Sequence, residues 1–171
     1  MELIDIIPEF NLYEEFWKIY TKGDISPPAY ISGDAVLDRC LIGEGAEIYG
    51  EVHSSVIGPN VVIGKGSVIR NSIIMRNTVI GEGVVMDKSI VAEDVTIGDH
   101  VTLGCGEEAE NVLKPAVYAF GIATIGERSV IPPDVKIGKN TAVSGITTAE
   151  DYPGGILESG QVIAAKDGDK A

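Results

Sequence analysis

Between Ser55 and Cys105 the chain reads as three consecutive blocks of 17 residues, "SVIGPNVVIGKGSVIRN", "SIIMRNTVIGEGVVMDK" and "SIVAEDVTIGDHVTLGC". Each opens on the same small-apolar-apolar triplet. Self-similarity at a fixed period constrains a fold strongly, because each repeat is a unit that buries its apolar face only against its neighbours. Within the blocks Ile57, Ile63 and Ile69, then Ile74, Ile80 and Met86, then Val91, Ile97 and Leu103 recur at steps of six, six and five. Two positions before many of them stand Val61, Ser67, Thr78, Val84, Val95 and Val101, all small or β-branched. Residues two apart in a strand share a face, so both sets point inward. Gly58, Gly64, Gly81 and Gly98 each follow an anchor, where the chain has to turn and a residue without Cβ costs least. A short strand and a sharp turn, three times per block, describe a triangular coil, and stacked coils make an all-β parallel β-helix of hexapeptide repeats. A helix requires period 3.6 and a flat sheet longer strands.

Chains of this kind resemble the hexapeptide-repeat proteins, whose β-helices are left-handed; the periodicity does not show that hand, and it runs against the right-handed rule for parallel crossovers. Upstream, "CLIGEGAEIYGEVHS" (residues 40–54) reads as a coil two residues shorter, with "YISGDAVLDR" before it as the opening coil. After Cys105 the hexads break for "GEEAENVLKPAVYAFG" and resume at Ile125, Ile131 and Ile137. Residues 106–120 are expected to loop outward, with Tyr118 and Phe120 folded back on the β-helix or turned to a partner. The first 30 residues differ in kind. They carry the single Trp, three of six Tyr and two of three Phe, and stop at Pro27-Pro28, which suits a linker that caps the open end or meets another domain. The β-helix is expected over 31–165, "TTAEDYPGGILESGQVIAA" as a turn and one last strand, and 166–171 as a frayed tail.

Charge and cysteine content narrow the partners. With 13 basic and 26 acidic residues the net charge is −13, which disfavours nucleic acid and anionic membranes. Two cysteines, Cys40 and Cys105, and the lack of a spanning apolar run point to a cytoplasmic setting. The acidic start "MELIDIIPEF" has no signal-peptide character. Four Gly-x-Gly pairs lack the third glycine and the helix that a phosphate loop needs. Two histidines, His53 and His100, are too few for a three-His zinc site, so no metal and no cofactor is expected in this chain. Each reads as an exposed turn residue, and the cysteines as small buried residues at coil junctions. Between Leu41 and Gly104 the cations are Lys65, Arg70, Arg76 and Lys88. If Arg70 and Arg76 share an edge, they are candidates, with Lys65, to hold an anionic ligand.

The segment "FNLYEEFWKIYTKGDISPPAYI", followed by one 15-residue coil leading into 17-residue coils, closely resembles the C-terminal portion of bacterial glucose-1-phosphate adenylyltransferase. The tracts "KPAVYAFGIATIGERSVIPPDVKIGKN" and "TTAEDYPGGILESG" are similar to longer versions of that enzyme. The resemblance implies a β-helix that packs on a nucleotidyltransferase domain, supports a homotetramer and contributes to binding an anionic allosteric effector. Tyr13, Phe16, Trp17 and Tyr20 then become candidates for the domain interface, and Arg70, Arg76 and Lys65 for the effector. In that family a G-G-x-G-[ST]-R motif and acidic residues for Mg²⁺ make ADP-glucose from ATP and glucose 1-phosphate. Nothing here matches the motif, so ATP and Mg²⁺ belong to the other half, this chain is expected to begin near the domain junction, and it is expected to be non-catalytic by itself. The alternative is a stand-alone acyltransferase with His100 or His53 as general base.

Overall fold

The computed structural model describes residues 25–165 together with Ile4, Glu9, Glu15 and Phe16. The chain winds through 20 short strands that stack into three parallel sheets of six, seven and seven strands. The first face is built from Tyr30–Ile31, Glu47–Ile48, Val62–Ile63, Val79–Ile80, Thr96–Ile97 and Val130–Ile131. The second begins at Val36–Asp38 and ends at Ile156–Leu157, and the third runs from Leu41–Ile42 to Val162–Ala164. This is the hexapeptide-repeat β-helix.

Register follows the repeat. Leu41 pairs with Val56, 15 positions on, and then Val56 pairs with Ile73 and Ile73 with Ile90, each 17 positions on. Equal spacing brings like residues above one another, so every anchor of the three blocks is buried in a single column of aliphatic side chains. Burying one such side chain contributes about 1.5–3 kcal/mol, and close packing of neighbouring coils makes the contribution cooperative along the axis. The small inward positions carry a second column. Ser72 Oγ accepts from the Ser89 amide at 3.1 Å and donates to the Arg70 carbonyl at 2.6 Å, and Ser55 does the same one coil below. These hydroxyls satisfy peptide groups that the tight corner leaves outside the sheets.

Corners divide the work between two residues. Gly64 and Gly81 keep ordinary backbone angles, but a Cβ on Gly64 would lie 2.5 Å from the Gly81 carbonyl oxygen, so close approach of adjacent coils demands glycine there. The left-handed conformation falls two positions later, on Gly45, Asn60, Asn77 and Asp94 along one corner and Gly66, Gly83 and His100 along another. Asn and Asp tolerate that region because a short polar side chain bonds locally. Here the bonds run up the corner: Asn60 donates to Asn77 at 3.2 Å and Asn77 to Asp94 at 2.9 Å.

After Cys105 the second-face strand stops, and the next strand, Ala123–Ile125, starts on the third face. Ile90 therefore pairs with Thr124, 34 positions on, and a 17-residue excursion leaves from the third corner. Past Ser144 the first face gains no further strand. Two short 3₁₀ turns, Ala149–Asp151 and Pro153–Gly155, stand in its place, and the spacing stretches to 20 residues between Ala142 and Val162. The C-terminal tract thus supplies two strands on two faces instead of the expected one, because its PGG corner lets the chain regain the second face. The expected tail 166–171 lies outside the described residues.

Candidate functional site

The three cations singled out in the sequence occupy three different corners of one coil. Lys65 sits in the turn between the first and second faces, in "GKG"; Arg70 ends the second-face strand Val68–Arg70; Arg76 lies past the third-face strand Ile73–Ile74. Six residues along this chain is one whole side of the triangle, so the shared edge imagined for Arg70 and Arg76 does not form. Arg76 is engaged by Glu93 of the next coil, Nε to Oε2 at 2.9 Å. Arg70 is exposed, sits in register between His53 and Asp87, and has no ion pair among the described residues. Of the interface candidates, Phe16 is 99% exposed, and Tyr13, Trp17 and Tyr20 lie outside the described residues.

The two histidines lie at different corners of the β-helix. His100 is an exposed corner residue in the left-handed region, stacked over Gly83, where an added Cβ would fall 2.5 Å from its Nδ1. His53 is not an exposed turn residue: it ends the strand Glu51–His53, half-buried, with Nε2 3.5 Å from Glu51 Oε2. Both cysteines are half-buried thiols directed at carbonyls. Cys40 contacts the Asp38 and Val52 oxygens at 3.1 Å, and Cys105 the Ile137 oxygen at 3.4 Å. Among the described residues no group of His, Cys, Asp or Glu is placed to hold a metal ion, and no helix is long and apolar enough to cross a membrane. Two tyrosines are electrostatically marked. Tyr49 donates to Glu47 at 2.9 Å, and that bond to a carboxylate pushes its pKa up. Tyr152 is raised chiefly by burial, its hydroxyl 3.0 Å from that of buried Thr147.

What the sequence did not reveal is the anchoring of the excursion. Asn140, a left-handed corner residue, is buried, and its amide donates to the Ala109 carbonyl at 2.8 Å and the Glu108 carboxylate at 3.3 Å. Its carbonyl accepts from the Gly121 amide at 2.7 Å, so one side chain ties both ends of the loop. Buried Asn111 donates to the Asn140 backbone oxygen at 2.8 Å and accepts from the amides of Leu113 and Lys114. The sequence signal was faint: an Asn at a corner position, like Asn60 and Asn77, whose partners lie 19 to 32 positions away.

The chain has relatives among known proteins. The model of a protein family described as "GMPPB C-terminal domain" matches residues 19–110, more than half of the chain. The chain belongs to that family. Glucose-1-phosphate adenylyltransferase of Lachnospira eligens is 67% identical over 163 residues, which are 95% of this chain and 38% of that enzyme. The enzyme of the same name from Thermotoga neapolitana is 50% identical over 98% of the chain and 40% of its own length, and that of Acetivibrio thermocellus 40% identical over 95% and 38%. The chain therefore spans about two fifths of the length of the curated relatives it matches, and the matched portion is their C-terminal part. A solved hexapeptide transferase family protein from Anaplasma phagocytophilum aligns with 80% of the chain and 70% of its own at a TM-score of 0.44 and 16% identity. In this member of the GMPPB C-terminal domain family every buried side-chain nitrogen or oxygen among the described residues has a hydrogen-bond partner.

Proposed function

We propose that this chain is the non-catalytic regulatory and assembly domain of a glucose-1-phosphate adenylyltransferase, which forms ADP-glucose and diphosphate from ATP and glucose 1-phosphate in glycogen synthesis. The observation that carries the reading is the uneven coverage: nearly all of this chain aligns, on no more than 40% of enzymes of that name. A rigid β-helix suits the role, because stacked coils present long flat faces that hold other domains at fixed spacing. A catalytic domain of the same parent is the first partner, reached through Tyr13, Phe16, Trp17 and Tyr20, and a homotetramer the assembly. An anionic effector at that junction would meet Arg70, whose guanidinium is exposed and outside any described ion pair, in preference to Arg76, already held by Glu93, or Lys65 on another corner. A cytoplasmic setting accompanies the reading, and two free cysteines suit a reducing compartment.

The test is reconstitution. The chain alone should make no ADP-glucose from ATP, Mg²⁺ and glucose 1-phosphate. Co-expressed with a nucleotidyltransferase half taken from the Lachnospira eligens enzyme, it should co-purify, raise the particle mass in light scattering and restore effector response. ADP-glucose formed by the chain alone would overturn the proposal, as would a catalytic half whose mass and effector response are the same with and without it.

A further inference from the structure

The three faces differ in what they turn to water. The outward column of the first includes Glu47, and that of the second Glu51 and Lys136. The third presents Leu41, Val56, Ile73, Ile90 and Thr124 in register, with no charge among them. Strands stack about 4.8 Å apart, so the four aliphatics rise through about 14 Å as one flat strip, each half-buried with part left in water. A continuous apolar strip on an otherwise acidic chain marks a surface for a partner.

The two edges of that strip differ in charge and in shape. At the edge where the chain arrives from the second face stand Arg39 and Lys88; at the edge where it leaves for the first stand Glu44, Glu93 and Asp94. Arg39 and Glu44 flank the Leu41 strand, and Lys88 and Glu93 flank the Ile90 strand, so each pair shares one coil. Arg39 is loosely held by Asp38 at 3.5 Å, Lys88 has no ion pair among the described residues, and Asp87 beside it accepts from the Asn71 amide at 2.8 Å. On the arriving edge Phe120 and Ile122 close a cleft of about 480 Å³ against Ile73 and Ile90. On the leaving edge, at the height of Ile73, Met75 is 40% exposed. Phe120 is 80% exposed, and the next residue is pinned by the bond from the Gly121 amide to Asn140, so the cleft is formed before anything enters it.

We infer that a second copy of this chain docks on the third face, about a two-fold axis parallel to the β-helix. Such a rotation keeps every coil at its own height and exchanges the two edges. Arg39 then faces Glu44 of the other copy, and Lys88 faces its Glu93 and Asp94. Met75 of each copy enters the cleft of the other beside Phe120, a sulfur–aromatic contact. Arg76, held by Glu93 of its own chain, comes opposite neutral Asn71. A two-fold axis across the β-helix would instead set each edge against itself, like charge against like, so the edges choose between the two arrangements. Charged pairs at the ends with aliphatics between them give an apolar centre and a polar rim. The inference rests on the assembly role proposed above and gives that role a face, whose border reaches Arg70 beside Asn71.

Light scattering and sedimentation of the 171-residue chain test it. The particle should have twice the mass of one chain. Ile73→Lys should bring it to the monomer mass with circular dichroism unchanged, whereas Val79→Lys, on the first face of the same coil, should leave the dimer intact. Phe120→Asn, which suits the left-handed angle, and Met75→Ser should each weaken the dimer about tenfold, and together by well under about a hundredfold, because they remove the same contact. The deciding measurement reverses one edge at a time. Arg39→Glu with Lys88→Glu, and separately Glu44→Lys with Glu93→Lys, should each be monomeric alone, and their equimolar mixture should dimerise, since opposite charges again meet. A monomeric parent chain, a dimer indifferent to Ile73→Lys, reversed variants that dimerise alone, or a mixture that stays monomeric would each overturn the inference. Reconstitution with the catalytic half can fail independently. A dimer formed through another face overturns this assignment and leaves the assembly role, whereas a catalytic half indifferent to a third-face dimer overturns that role and leaves the assignment.

Discussion

The coils between Ser55 and Cys105 and the stretch from Gly106 to Ala165 are parts of one β-helix built by two different rules. In the first, every coil has the same length, register advances by 17, and each side chain meets its own counterpart above and below. In the second, spacings of 34, 18 and 20 replace it, the first face loses its last strand, and single residues hold what repetition held before. The lesson concerns where specificity resides. A column of isoleucines tolerates exchange of one member for another aliphatic, because its neighbours offer the same surface; Asn140 has no substitute, because its partners are particular backbone groups far along the chain.

The largest expected effect sharpens the regular side of that contrast. Ile80→Ala, in the fully buried column, should lower stability by about 3 kcal/mol in urea unfolding and act on the whole molecule as one transition. Asn140→Ala should cost about 2 kcal/mol, through the lost amide bonds, the orphaned Gly121 N–H and an alanine placed at φ 54°. Its signature should differ from that of Ile80→Ala: limited proteolysis should cut within 106–122 while the rest of the β-helix stays protected, and equal protection of the excursion would break the comparison. Ser72→Ala should cost about 1–2 kcal/mol, because the Ser89 amide loses its acceptor in a buried position.

The smallest effect tests the irregular end by pH. Burial raises the Tyr152 pKa above the ordinary 10.0, so the folded state keeps a proton that the unfolded state releases. Stability from this group is therefore full below about pH 10 and declines as pH climbs through the folded-state value. Tyr152→Phe should flatten the alkaline limb of the stability curve. It should also cost about 1 kcal/mol at pH 7, because buried Thr147 is left without its partner. An alkaline limb unchanged by Tyr152→Phe would place the titrating group elsewhere.

The repeat made the frame legible. The columns at Ile57, Ile63 and Ile69 and their counterparts, the inward Ser67 and Thr78, and the shorter coil before Ser55 all follow from period and residue type, since a strand alternates faces and a six-residue side fixes which face is inside. The basic residues were harder. Spacing along the chain offered Arg70 and Arg76 as candidates to share an edge, but the triangle puts a full side between them. Conversely Lys88 and Lys139, 51 positions apart, converge at Gly121 only because the excursion removes one coil's worth of chain from between them.

By itself, then, the sequence determined the architecture, the buried columns and the residue types at the corners, because those depend on local period and are repeated often enough to reinforce one another. The tertiary structure alone decided which charges meet, how the excursion is pinned and where a cleft opens. Those features rest on single contacts between distant residues, and a contact of that kind has no period to betray it.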